Sequence, residues 1–220
     1  MFGLSKLWSK SEKQESAVAV QEKPKNVKKP SRAKKEEKAL PPDPLQIAVD
    51  KIATRPAGEY ILYTQAAESF PERILEIGVD DCQRIATLLQ FGVLVIPKDH
   101  MLYVGLDWFD SRTESQRPGI SYNDAVNLLA SFDVKIKLQP GDPSGTCLSI
   151  VNALSSRKID WVMISEEISP KKMRALWPLF PRILKPETRF FLEKKGEYRL
   201  IPVGEVQKIA LKAEEIARLG

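Results

Sequence analysis

The chain has little sulfur and almost no imidazole. Its 220 residues include two cysteines, Cys82 and Cys147, and one histidine, His100. Two cysteines without a CxxC pair build neither a disulfide framework nor a structural zinc site, so both are expected as reduced thiols. Cys82 falls at an expected helix N-terminus, where a thiol pKa is lowered. No histidine lies near it in sequence to act as a base, which argues against a nucleophile. His100 precedes a strand and is read as a surface residue. No apolar run approaches the roughly 20 residues of a spanning helix. The N-terminus lacks the apolar core of a secretory signal. A cytoplasmic protein without a metal is therefore expected. GxGxxG and GxxxxGK[ST] are both missing, which removes the usual glycine fingerprints for dinucleotides and nucleoside triphosphates.

What is present is charge, unevenly placed. Residues 1–44 carry 11 Lys/Arg and 6 Asp/Glu, while the other 23 basic and 23 acidic residues cancel. The net charge of +5 thus belongs to the tail, and a neutral body argues against a broad nucleic-acid-binding face. After Trp8 the tail is rich in Lys, Glu, Ser and Pro and free of aromatics, a composition that cannot offset its ordering entropy. Residues 1–44 are expected to form a disordered basic tail. Phe2, Leu4, Leu7 and Trp8 leave two readings open. One is a solvated tail, and the other is a docking segment for an acidic partner or an anionic surface.

Residues 45–220 read as one domain. Asp43 can cap a first lead helix with Pro44 at its first position, and a second lead helix follows over about 59–67. In the expected strand Arg73–Ile77, Ile74, Leu75 and Ile77 form a short apolar run broken by Gly78, so strand, tight turn and helix come in that order. A glycine there lets the backbone turn sharply and approach a ligand, and Glu76 sits one place from the strand end. The helix is expected over about 81–90, closed by Phe91-Gly92. Val93–Ile96 is left as a short extra strand or a loop. Further strands are expected at Met101–Leu106, Val134–Leu138, Ile159–Ile164 and Thr188–Leu192. Helices intervene, one opening at Ser121, one after the dense turn Pro140–Gly145 and one at Ser169-Pro170. A turn at Lys195-Gly196 leads to an antiparallel neighbour, and an amphipathic helix closes the chain. This alternation dictates an α/β, Rossmann-like, doubly wound and mostly parallel sheet in three layers, with Arg73–Ile77 and Ile159–Ile164 adjacent at its centre. Ligands of such sheets bind outside the carboxyl ends of the strands.

The residues at those ends carry a resemblance. Ile74-Leu-Glu-Ile-Gly78, Tyr103-Val-Gly-Leu-Asp107, Gln139-Pro-Gly-Asp142 and Lys158–Ile164 occur in the order found in class I S-adenosylmethionine-dependent methyltransferases. The resemblance implies that fold and an S-adenosylmethionine cofactor. Glu76, Gly78, Asp107, Asp142 and Ser165 would line its site, Asp107 holding the ribose hydroxyls and Asp142 meeting the adenine edge. The methyl acceptor and any catalytic residue are not specified. The family's alternating glycines are reduced to one in Gly78-Val79-Asp80-Asp81-Cys82. A degenerate, non-catalytic interaction module on the same fold is therefore the alternative.

Overall fold

Apolar character on consecutive residues, rather than on alternate ones, marks strands that are covered on both faces. In the computed structural model, which describes residues 43–154 and 158–219, such strands form the middle of a six-stranded sheet. The strands are β1 (Arg73–Ile77), β2 (Leu102–Asp107), β3 (Lys135–Pro140), β4 (Trp161–Ile164), β5 (Arg189–Lys194) and β6 (Glu197–Ile201). Their order is β3-β2-β1-β4-β5-β6. The first five run parallel, with β1 paired to both β2 and β4, and β6 returns antiparallel to β5 through Lys195-Gly196. Residues 1–42, the body of the expected basic tail, lie outside the described residues.

Among the described residues seven α-helices wrap the sheet: α1 (Pro44–Ala53), α2 (Tyr60–Glu68), α3 (Gln83–Val95), α4 (Tyr122–Ala130), α5 (Pro143–Leu154), α6 (Pro170–Leu176) and α7 (Val203–Leu219). The period-2 alternation of the strands sorts the core into two layers. Leu75, Ile77, Val104, Leu106, Val162, Ile164 and Phe190 meet α5, α6, the 3-10 segment Trp177–Arg182 and Val206 of α7. Ile74, Tyr103, Trp161, Met163 and Phe191 meet α2, α3 and α4 from the other side. A three-layer, doubly wound architecture results. No described helix is long and apolar enough to cross a membrane.

The helix starts follow their caps. The Asp43 side chain accepts from the Leu45 N–H with Pro44 at the first position, and Ser121 and Ser169 cap α4 and α6 in the same way. Two expectations are corrected. The helix after β1 does not end at Phe91-Gly92. It runs on to Val95, so Val93–Ile96 is its last turn and exit rather than a strand. Gly92 breaks nothing here: a Cβ on it would lie 2.3 Å from the Phe70 ring and 2.7 Å from the Met101 methyl, so the glycine permits close packing inside the helix. The turn Pro140–Gly145 is also shorter than expected, because α5 already begins at Pro143.

Candidate functional site

Parallel strands end together, so the loops after β1, β2 and β4 converge over the middle of the sheet. There β1 lies between β2 and β4, the point where the strand order reverses direction. Gly78 leaves β1 with φ +87°, and a Cβ on it would fall 2.5 Å from the Ser165 Cβ at the end of β4. Only glycine lets the β1 turn pass this close to β4. Two residues further, Asp80 has φ +58°, and Cys82 follows at φ +65°. Positions 78, 80 and 82 all hold the left-handed conformation that glycine adopts freely. Two of them carry side chains, at a strain of order 1 kcal/mol each.

Asp80 and its neighbours occupy the cleft, whereas Cys82 turns into the core. Glu76 is fully buried and turned to the protein itself: Arg84 of α3 donates to it at 2.7 Å and the Tyr103 hydroxyl at 2.6 Å. Arg84 also donates to the Gly78 carbonyl at 3.1 Å and lies 3.5 Å from Asp80 and 3.8 Å from Glu59. Glu59, ahead of α2, in turn accepts from Arg55 and Tyr63 at 2.8 Å. The segment before α2 is held over this end of the sheet, since a Cβ on Gly58 would strike the Gly196 carbonyl of the β5–β6 turn.

Asp107, at the end of β2, is 1% exposed. Its Oδ2 accepts from the Val79 N–H at 2.6 Å, the Asp80 N–H at 3.1 Å and Arg112 at 2.6 Å. Its Oδ1 accepts from the Phe109 N–H at 2.9 Å and from Arg112 Nε at 3.0 Å. Five donors meet a carboxylate with about four lone-pair positions. Arg112 comes from the loop after β2 and is bidentate on Asp107, the strongest form of this contact. It also donates to Glu167 at 2.6 Å, to the Arg117 carbonyl at 2.9 Å and to Asp80 at 3.4 Å. Gly119 makes room for it: a Cβ there would sit 2.3 Å from Arg112 Nε. The loop is pinned back onto the β1 turn where the Ile120 N–H donates to the Asp80 carbonyl at 2.9 Å.

The cleft is crowded with carboxylates. Burial raises Glu76 above the ordinary carboxylate range, with Arg84 and Tyr103 opposing the shift. Burial also pushes Asp80 up to about 7, helped by Glu167 and Glu76 and opposed by Arg84 and Arg112. The Cys82 thiol is buried and its pKa is raised by desolvation, so the helix start does not activate it.

The fold thus gathers Glu76, Gly78, Asp107 and Ser165 around one point. Ser165 donates to Glu193 at 3.1 Å. Asp142 lies apart and more exposed; burial pushes its carboxyl up, but Lys172 donating at 2.6 Å and the Ser144 hydroxyl and N–H together outweigh that and hold it below its ordinary value. His100 is exposed, as expected. Sequence reading had Asp80 in the broken glycine run but missed Arg84 and Arg112 as members of the cleft. The available signal was the two polar replacements at glycine positions, with an arginine five residues beyond Asp107.

Among solved structures the chain is similar to a TDP-rhamnose 3'-O-methyltransferase of calicheamicin biosynthesis. That match is 15% identical, covers 77% of this chain and 82% of the other, and has a TM-score of 0.52. The fold is that of a class I methyltransferase. An O-methyltransferase from Bacillus cereus in complex with SAH is similar at 14% identity over 82% of this chain and 81% of its own, with a TM-score of 0.45. The tomaymycin-synthesis O-methyltransferase from Streptomyces achromogenes, in complex with SAM, is 16% identical over 81% and 79%, with a TM-score of 0.46. No protein-family model and no curated protein sequence matches the chain.

Proposed function

We propose that this chain is a methyltransferase-fold protein whose cofactor cleft is closed by its own side chains, and that it works by binding a partner rather than by methyl transfer. The observation that carries this reading is Arg112 seated bidentate on Asp107. A ribose held at the end of β2 needs free carboxylate lone pairs for its two hydroxyls. Asp107 spends its own on three backbone N–H groups and a guanidinium. The β1 turn gives independent support. A glycine run leaves bare backbone for the amino-acid end of S-adenosylmethionine, whereas Asp80 fills that space with a carboxyl bridged toward Arg84, Arg112 and Ser165. As they stand, these residues do not fit the group that the fold implies.

Calorimetric titration with S-adenosylhomocysteine tests the reading. The expected outcome is no heat with the wild-type chain at millimolar ligand. An affinity in the micromolar range that Asp107→Ala weakens tenfold to a hundredfold would overturn it. The second reading, an active methyltransferase of unknown acceptor, would then stand. The location of Arg112 on a loop favours that second reading, because a loop can swing where a strand cannot.

A further inference from the structure

We propose that the groove between α6 and α7 docks an acidic amphipathic helix of a partner protein. The groove encloses about 480 Å³ and lies on the layer that α5, α6 and α7 add to the sheet, not at the cleft. Its floor is apolar. Ile209, Ala213 and Ile216 line it from α7 at helical spacing, and Trp177 closes it from below. Trp177 is fixed in place, stacked on Phe190 with centroids 5.6 Å apart and edge-on to Phe180, so the floor is formed before anything binds. Ile216 is 55% exposed although it stands in this stripe.

The rim carries one sign of charge. Lys171, Arg174 and Lys212 line the groove, and none has an ion-pair partner among the described residues. Glu214 and Glu215 lie roughly 130° round α7 from the stripe, and Glu205 stands more than a turn ahead of Ile209, outside the groove lining. An apolar trough between two helices with three free cations matches a third helix with apolar residues at i, i+3/i+4 and i+7 and carboxylates beside them. A second copy of this chain fits poorly, because a two-fold contact would bring the cations against themselves. The chain's own Phe2, Leu4, Leu7 and Trp8 come with Lys6 and Lys10, which repel the same rim. A flat anionic membrane would leave a concave trough unfilled.

The test uses the full chain and a synthetic helical peptide of about 14 residues, with leucines at i, i+3 and i+7 and glutamates flanking them. Calorimetry should give a dissociation constant near the micromolar range, weakening as salt rises. Lys171→Glu, Arg174→Glu and Lys212→Glu together should weaken it at least tenfold and leave the unfolding midpoint unchanged, since all three are exposed. Ile216→Asp should weaken it too. Equal binding of a lysine-flanked peptide, or indifference to the charge reversal, would overturn the proposal. Co-flotation with phosphatidylserine vesicles in place of peptide binding would make the face a membrane contact. Binding only after removal of residues 1–42 would make the chain's own N-terminus the occupant. S-adenosylhomocysteine affinity reads the cleft alone, so either proposal can fail without the other.

Discussion

Two arginines cross the carboxyl end of this sheet, and they are held differently. Arg84 rises from the first turns of α3 and is 4% exposed. Its closest partners, Glu76 and the Gly78 carbonyl, lie on or directly next to β1, with Glu59 ahead of α2 at 3.8 Å and Asp80 of the turn at 3.5 Å. Arg112 stands on the loop between β2 and α4, and its partners are the strand end at Asp107, the β4 loop at Glu167 and the turn at Asp80. Arg84 therefore belongs to the core, as the counter-charge that lets Glu76 be buried. Arg112 sits where a ligand of this fold would sit, over a carboxylate that keeps three backbone donors without it. On the proposed reading the first is a condition of folding and the second a stopper in a site. Separate variants can break that distinction.

The largest effect is expected from Glu76→Ala, which strands the Arg84 guanidinium in the interior. Loss of one partner of a buried pair costs about 3–5 kcal/mol, readable by denaturant unfolding. A cost below about 1 kcal/mol would mean that Glu59 and Asp80 absorb the charge, and Arg84 would lose its special standing. Arg112→Ala should cost less, about 2 kcal/mol, because Asp107 stays solvated by backbone N–H groups. The same variant should raise S-adenosylhomocysteine affinity if the arginine blocks the cleft. Equal destabilisation by the two variants would erase the comparison.

Asp80 links both arginines and gives a pH signature. Its carboxyl titrates near 7 in the folded chain against about 3.9 unfolded. Between those values the folded state keeps a proton that the unfolded state has lost, so this group's contribution falls as pH rises from about 4 to about 7. Asp80→Asn cannot ionise. It should equal the wild type near pH 4 and exceed it by about 4 kcal/mol at pH 8, roughly three pKa units at about 1.4 kcal/mol each. A gap independent of pH would place the Asp80 charge outside the network. The smallest effect is expected at Asp142→Ala, no more than about 0.5 kcal/mol, since its pair with Lys172 is largely solvated. A larger cost would give the β3 turn a structural weight equal to the cleft.

Much of the architecture was legible in the residues. Arg73–Ile77 is β1 to the residue, because Ile74, Leu75 and Ile77 just before a glycine read as a short buried strand and its turn. The adjacency of β1 and β4 followed from their continuous apolar character. Gly92 misled, because a glycine that ends a helix and one that lets a helix touch Phe70 look alike without the neighbour. Asp107 was found from its position at a strand end, but its occupancy was not. No local pattern says that the arginine five residues on turns back rather than outward.

The sequence by itself determined the layers, the central pairing of β1 with β4 and the place where the strand ends meet. Each follows from periodicity and turn residues, which act over a few residues, and from the alternation of strand and helix that they set. Only the tertiary structure decided whether that place is open. The answer depends on Arg112, Asp80, Glu167 and Asp107, spread over three loops, coming within hydrogen-bond range. Electrostatic contacts fall off over a few ångströms of space without regard to separation along the chain. The filling of the cleft therefore existed only once the sheet had brought its ends together.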